Sequence, residues 1–324
     1  MMSMEQEPFR EETVTFEGSA GKLAGTLAVP SASSSRGSVV ILPGSGRADR
    51  DGNNKRLAMG IYRDLAHALS GQGFVTLRYD KRGIGQSQGD SFAAGFWDLV
   101  DDAKAAVEFL QARSSENPSP IILLGHSEGC IIAPAVNVRL PVQGLIMLAG
   151  ACESLSVTLP RQQERAVEDL RKMAGFLGVL IRALHVAERQ GRKSRAVMAR
   201  IMASDRPWIR ISGFRMNAKW IREHVEYDVA RDLPSVRCPT LAISGTKDIQ
   251  VLPEHARLIA ETVAGPAEWH IIPDMTHLLR RTSKSVSMVT LTKLYKLQCK
   301  EPVDAELLSI LSAWLDARFP RGDH

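Results

Sequence analysis

From position 121 to position 135 the chain reads Ile-Ile-Leu-Leu-Gly-His-Ser-Glu-Gly-Cys-Ile-Ile-Ala-Pro-Ala. Four branched apolar residues with no polar alternate read as a strand covered on both faces, which belongs inside a parallel sheet. The run passes into Gly125-His126-Ser127-Glu128-Gly129, a G-x-S-x-G pattern, and then into a helical stretch. Between strand and helix the two glycines let the backbone fold sharply, because a side chain at either position would strike the neighbouring strand or helix. Ser127 then stands at the apex of a strained turn with its hydroxyl above the sheet. The helix that starts at Glu128 points its N-terminus at the same place and favours negative charge on a reacting oxygen. Ser127 is therefore the expected nucleophile, with Gly125 and Gly129 as the glycines that shape its turn.

Working outward, similar short apolar runs occur at 39–42, 74–77, 145–148 and 241–243. Helical spacing fills two of the gaps, with Leu57, Ile61, Leu65 and Leu69 around 58–69, and Leu99, Ala103, Val107 and Leu110 within 96–112. Strand alternating with helix predicts an α/β fold with a doubly wound, mostly parallel sheet. Residues 12–16 and 23–29 alternate around a Gly/Ser-rich turn at 18–21, which predicts an N-terminal antiparallel hairpin. Leu307, Ile310, Leu311 and Trp314 mark the buried face of a closing helix over 303–319.

One segment breaks the rhythm. Residues 153–232 hold no good strand but several helical stretches rich in Arg, Met and Ala, with breaks at Gly191 and Pro207. The expectation is a core of 1–152 and 233–324 with 153–232 as a helical lid inserted after the strand at 145–148. The insertion has 16 Lys+Arg against 10 Asp+Glu, so it holds the whole positive excess of the chain, whose net charge is +5. Spread along the segment and mixed with acids, these charges read as a solvated outer face. The apolar part of the lid, Phe176, Leu177, Val179, Leu180, Ile181 and Leu184, is expected to cover the site and contact an acyl chain.

Composition removes other classes. With 324 residues, 44% hydrophobic and 24% charged, the chain can bury a large core, and disorder over most of its length is excluded. Aromatic residues make up only 6%, and no basic tail is present, so nucleic acid is not an expected partner. Cys130, Cys152, Cys238 and Cys299 are scattered, without C-x-x-C spacing, which fits a reduced, cytoplasmic chain. The first ten residues carry glutamates and Pro8 where a signal peptide needs a basic start and an apolar run. The longest apolar stretch, 173–186, is too short to span a bilayer and is interrupted by Arg182, so no membrane span is expected.

A serine hydroxyl is a weak nucleophile at neutral pH, so a base must take its proton and a carboxylate must orient that base. After the strand at 240–244 comes Gly245-Thr246-Lys247-Asp248, which puts Asp248 at the C-terminal edge of the sheet, where ligands and catalytic groups gather in open α/β sheets. After the next strand, 268–272, comes Pro273-Asp274-Met275-Thr276-His277, which puts His277 on the neighbouring loop. Asp274 and Glu254 are competing carboxylates.

Together these features resemble the α/β hydrolases, and within them the bacterial serine esterases and the related serine aminopeptidase-like group. Leu42-Pro43-Gly44-Ser45-Gly46 with Asp49-Arg50-Asp51-Gly52 resembles the oxyanion loop of that group. Arg78-Tyr79-Asp80-Lys81-Arg82-Gly83-Ile84-Gly85-Gln86-Ser87 resembles its loop after the next strand. The resemblance implies Ser127 as nucleophile, His277 as general base and Asp248 as the carboxylate that fixes its tautomer, in the usual chain order. It also implies an oxyanion hole from the backbone N–H groups of Ser45 and Glu128. Many relatives carry His-Gly-Gly where this chain has Pro43-Gly44-Ser45, so the amide donor is kept and the histidine's supporting contacts are not.

The remaining polar residues have plainer readings. His126 is expected to pack or hydrogen-bond beside the turn, Cys130 to fill core, and His255 and His270 to serve structure. Glu128 is read as a helix-start carboxylate or a substrate-facing group. Asp49, Arg50, Asp51 and Arg82 are either a pocket rim or a salt-bridge network that braces the loops. The expected activity is hydrolysis of a small-molecule carboxylic ester through an acyl-enzyme, with no metal or organic cofactor. Hydrolysis of short peptides or aminoacyl amides is the alternative, and a non-catalytic binding module on the same fold is a third. Ser127 argues against dehalogenases and epoxide hydrolases, which use an aspartate at that position.

Overall fold

The run 121–124 does form a strand, and its neighbours explain why it needs no polar alternate. In the computed structural model, which describes residues 8–31, 35–114, 119–173, 175 and 186–321, eight strands form one sheet. They are β1 (Phe9–Gly18), β2 (Gly21–Pro30), β3 (Gly37–Leu42), β4 (Phe74–Tyr79), β5 (Ile121–His126), β6 (Gly144–Leu148), β9 (Thr240–Gly245) and β10 (Ala267–Ile272). The spatial order is β1-β2-β4-β3-β5-β6-β9-β10. The hairpin β1–β2 and the pair β2–β4 are antiparallel and every other pairing is parallel.

Alternate residues of one run feed two different cores, as the period of two requires. Val40, Leu42, Leu123, Leu145 and Met147 pack on one face with α2 (Phe96–Arg113) and α3 (Glu128–Arg139). Val39, Ile41, Ile122, Leu124, Ile146 and Leu148 pack on the other with α1 (Ile61–Gly71) and the C-terminal helix Ala305–Arg318. Every residue of β3, β5, β6 and β9 is buried. The expected doubly wound, mostly parallel sheet with its antiparallel N-terminal hairpin is the observed one.

Between β6 and β9 the described chain forms α4 (Leu155–Arg171), α5 (Val186–Met202), α6 (Ala218–Glu226) and a two-stranded ribbon, β7 (Trp208–Ile211) with β8 (Phe214–Asn217). Helix α4 packs on α5 and α6, and α6 packs on α2, so the segment docks on the rest of the molecule through α6. The apolar residues 176–184 assigned to the lid's inner surface lie outside the described residues.

The ribbon corrects the expectation of a segment without strands. Its turn is Ser212-Gly213, with φ of 50° and 85°. Positive φ at both central residues of a two-residue loop matches the twist of a hairpin, and Ser-Gly between short alternating runs is the signal that gives it. Two helix boundaries also move. Helix α1 begins at Ile61, after Gly60 at φ 61°, instead of at 58. The closing helix begins at Ala305, where Asp304 caps it by accepting the N–H groups of Glu306 and Leu307 at 2.9 and 3.0 Å. Two further α-helices among the described residues are α7 (His255–Thr262) and α8 (Leu291–Gln298), and the closing helix is α9.

Replacing Asp304 with Ala removes that cap and leaves two amide donors unpaired, so urea unfolding should show a loss of about 1 kcal/mol.

Candidate active site

The turn at Ser127 is strained as the sequence required. Its φ is 53° and ψ −111°, outside the regions that L-residues favour. Such a conformation costs on the order of 1–3 kcal/mol and persists only where packing over-determines it. A Cβ on Gly125 would lie 2.4 Å from the carbonyl of Gly129, and one on Gly129 would lie 2.1 Å from the Leu42 oxygen. Helix α3 therefore starts in contact with β3 and β5. The Ser127 N–H donates to the Leu148 carbonyl at 2.9 Å, which ties the turn to β6 as well.

Two strands away, the loops after β9 and β10 bring Asp248 and His277 together. Both are buried, and His277 Nδ1 lies 2.7 Å from Asp248 Oδ2. The other carboxylate oxygen accepts the N–H groups of Gln250 and Val251 at 2.9 and 3.0 Å. A carboxylate beside Nδ1 places the ring hydrogen there and leaves Nε2 as the acceptor. The His277 loop is closed by Thr276 N–H on the Arg280 carbonyl and by Gln298 Nε2 on the same oxygen, at 2.9 and 3.1 Å. Of the competing carboxylates, Asp274 is exposed and pairs with Lys247 at 2.9 Å, and Glu254 stands at the start of α7. Ser127 Oγ makes no hydrogen bond among the described residues.

The loop at 43–46 lies against the turn, since a Cβ on Gly44 would be 3.3 Å from the Ser127 Cβ. The backbone N–H groups of Ser45 and Glu128 have no hydrogen-bond partner among the described residues. A directed chain of hydrogen bonds joins this loop to the histidine loop. Gly44 N–H donates to the Tyr62 hydroxyl at 2.7 Å, and that hydroxyl lies 3.1 Å from His126 Nδ1. His126 Nε2 lies 2.9 Å from the His277 carbonyl. An amide can only donate, so the Tyr62 hydrogen points to Nδ1 and the His126 hydrogen sits on Nε2. Burial, with the nearby His277 ring, pushes the His126 pKa down to about 3. His126 thus has the hydrogen-bonding role expected of it.

Glu128 is the helix-start carboxylate of one reading, the first residue of α3. It is buried and bound by other side chains, and does not lie free to meet a substrate. Lys81 Nζ is 3.1 Å from Oε2, Trp220 Nε1 donates to Oε1 at 2.6 Å, and His224 Nε2 is 3.0 Å from Oε1. Burial raises its pKa, but Lys81, His224 and Trp220 outweigh that and bring it down to about 2. Tyr62, Lys81, Trp220 and His224 were not singled out by sequence. Lys81 lay within the 78–87 motif, whereas nothing local marks the other three.

Asp49, Arg50, Asp51 and Arg82 brace loops. Asp49 accepts the N–H groups of Asp51 and Asn53, Arg50 pairs with Asp80 at 2.7 Å, and Asp51 pairs with Arg78 at 2.6 Å. Arg82 grips Asp102 with two bonds of 2.7 Å and reaches Asp98 and Ser19. Cys130 is buried with Sγ against the Gly125 and Leu148 carbonyls, and burial raises its thiol well above the ordinary range. His255 accepts the Cys152 N–H, and His270 pairs with Glu268. A cavity of about 280 Å³ adjoins Ser45, walled by Ile84, Phe92, Leu99 and Trp220 together with Lys81 and Arg82, so Arg82 holds the pocket place offered for it as well as its bracing one. A larger one of about 760 Å³ lies between α4 and α5 and touches none of the residues above.

Comparison with known proteins gives the following. Residues 55–281 match the family model described as Serine aminopeptidase, S33; the stretch holds Ser127, Asp248 and His277 and begins after Ser45. The chain is 25% identical over 320 residues to esterase EstD of Thermotoga maritima, covering 96% of this chain and 69% of that protein. The esterase domain of a Rhodothermus marinus protein superimposes with a TM-score of 0.56 at 19% identity, covering 95% of this chain and 98% of that one. The alpha/beta hydrolase GrgF from Penicillium does so with 0.60 at 17%, covering 96% and 99%. These two solved structures share the fold.

The low pKa values of His126 and Glu128 carry a stability consequence. Both groups bind protons more readily unfolded than folded, so their contribution is complete above pH 6.5 and 4.5 and is lost as pH falls toward about 3 and about 2. Denaturant titrations should show stability dropping below pH 6.5 at up to about 1.4 kcal/mol per pH unit from His126 alone. In the His126→Gln variant the fall between pH 6.5 and 4.5 should be shallower, leaving the part that belongs to His255, whose pKa burial also lowers.

Proposed function

The chain belongs to the Serine aminopeptidase, S33 family of α/β hydrolases, and from that premise we propose that it hydrolyses carboxylic esters through a covalent acyl-enzyme. Ser127 Oγ attacks the ester carbonyl while His277 Nε2 takes its proton. Asp248 holds the imidazole in the required tautomer and stabilises the imidazolium that forms. The oxyanion is received by the N–H groups of Ser45 and Glu128. His277 then protonates the departing alcohol, and a water activated by the same ring releases the acid.

The observation that carries this reading is the buried 2.7 Å pair of His277 and Asp248 on loops at the same sheet edge as a strained serine. The free amides of Ser45 and Glu128 beside Gly44 support the oxyanion assignment. In free enzymes the bond from serine to base is commonly long and tightens when substrate binds, which accommodates the unbonded Ser127 hydroxyl.

Glu128 favours esters over aminoacyl substrates. An aminopeptidase needs a carboxylate or carbonyl to receive an α-amine, for which Glu128 and the carboxylates of the inserted segment were the candidates, and Glu128 is not free for it. Both its oxygens are already engaged by Lys81 and Trp220. The similarity to the Thermotoga esterase points the same way. In this reading residues 153–232 form the lid, and the 280 Å³ cavity beside Ser45 receives a short or aromatic acyl group.

Ser127→Ala should lower kcat on a p-nitrophenyl ester by about 10⁶-fold and Asp248→Asn by about 10⁴-fold, with thermal unfolding unchanged. Across a series from acetyl to palmitoyl esters, kcat/KM should peak at the short acyl groups, and aminoacyl p-nitroanilides should be turned over poorly. A preference for the anilides would overturn the ester assignment.

A further inference from the structure

The 78–87 loop contributes a cation to the site that the reaction scheme leaves unused. Lys81 is buried, and its ammonium has two partners. One is the Gly44 carbonyl at 2.8 Å and the other is Glu128 Oε2 at 3.1 Å. The Gly44 carbonyl belongs to the same peptide unit as the Ser45 N–H. A trans peptide is planar and its C=O and N–H point in opposite directions, so a cation that holds the carbonyl also aims the amide. No peptide bond among the described residues is cis. A cation on the carbonyl also polarises the unit and strengthens the amide as a donor.

Glu128 provides the second oxyanion amide, and its carboxylate is the other end of the same ion pair. One buried salt bridge thus spans the two peptides whose N–H groups face the reacting oxygen. Its third side is closed from the inserted segment. Trp220 Nε1 donates to Glu128 Oε1 at 2.6 Å, and His224 Nε2 stands 3.0 Å from that oxygen, both from α6.

We propose that Lys81 is a positioning residue for the oxyanion hole, holding the Gly44–Ser45 peptide in its donating orientation through an ion pair with Glu128 that α6 anchors. The inference rests on the reading of Ser45 and Glu128 as oxyanion donors. A mispositioned donor weakens transition-state binding and leaves ground-state binding alone, so the loss falls on kcat.

The test compares Lys81→Met with the charge-neutral pair of Lys81→Met and Glu128→Gln. The pair avoids leaving Glu128 buried without its cation, so it decides the matter should the single variant fail to fold. Each is assayed for kcat and KM on a short-chain p-nitrophenyl ester and for inhibition by a matched trifluoromethyl ketone. That inhibitor adds to the serine and places an oxyanion in the hole.

In the folded Lys81 variants kcat should fall by about 10²-fold, KM should stay within about twofold, and ketone affinity should weaken by about the same factor as kcat. A kcat within about threefold of wild type in the folded pair, a loss confined to KM, or unchanged ketone affinity would overturn the proposal. Fluorophosphonate labelling of the wild type, abolished by Ser127→Ala, is the control for the underlying reading. Its failure would indict the serine mechanism itself and not the role of Lys81.

Discussion

Everything at the site depends on how closely α3 is allowed to approach the sheet. With the Leu42 oxygen 2.1 Å from where a Gly129 Cβ would be, there is no relaxed route from β5 into the helix. The strain falls on Ser127, the one residue of the turn at positive φ. Packing of α3 against β3 and β5 sustains it, so a sizeable part of the core's burial serves to hold one hydroxyl above the sheet. The helix N-terminus arrives at the same point for the same reason, and its first free amide is that of Glu128.

Around that fixed point the polar groups are organised in pairs across loops. Asp248 and His277 come from successive strand ends. Tyr62 and His126 link the 43–46 loop to the His277 carbonyl. Lys81 and Glu128 link the same loop to the first turn of α3 and, through Trp220, to α6. Each group is buried and partnered, and this matters because an unpartnered buried charge or donor would cost several kcal/mol. The loops around the Ser127 turn are thereby held by hydrogen bonds of defined direction, which fixes donor and acceptor roles without any assumption about a substrate.

Much of this was legible from local pattern. Runs such as 39–42 and 121–124 identified the strands, because a strand buried on both faces has a distinctive composition. The Gly125–Gly129 turn put Ser127 at a strained apex, because its constraint is steric and acts within five residues. Asp248 and His277 were expected on neighbouring loops from their place after strands, and there they pair. The β7–β8 ribbon was missed although Ser212-Gly213 signalled it, since a run of Arg and Met around it read as helix. The start of α1 was set by Gly60, whose positive φ overrode a periodicity that continued to Leu57.

What the amino-acid order determined by itself was the layered α/β architecture, the serine at the apex of its turn and the order of the three chemical groups along the chain. Each is encoded by spacing within a short window. What only the tertiary structure decided was which distant groups meet. Asp248, not Asp274, faces His277; Glu128 is bound by Lys81, Trp220 and His224; and Arg82 braces Asp102. These contacts join residues up to about a hundred positions apart, and they are chosen by the packing of strands and helices, which no local propensity records.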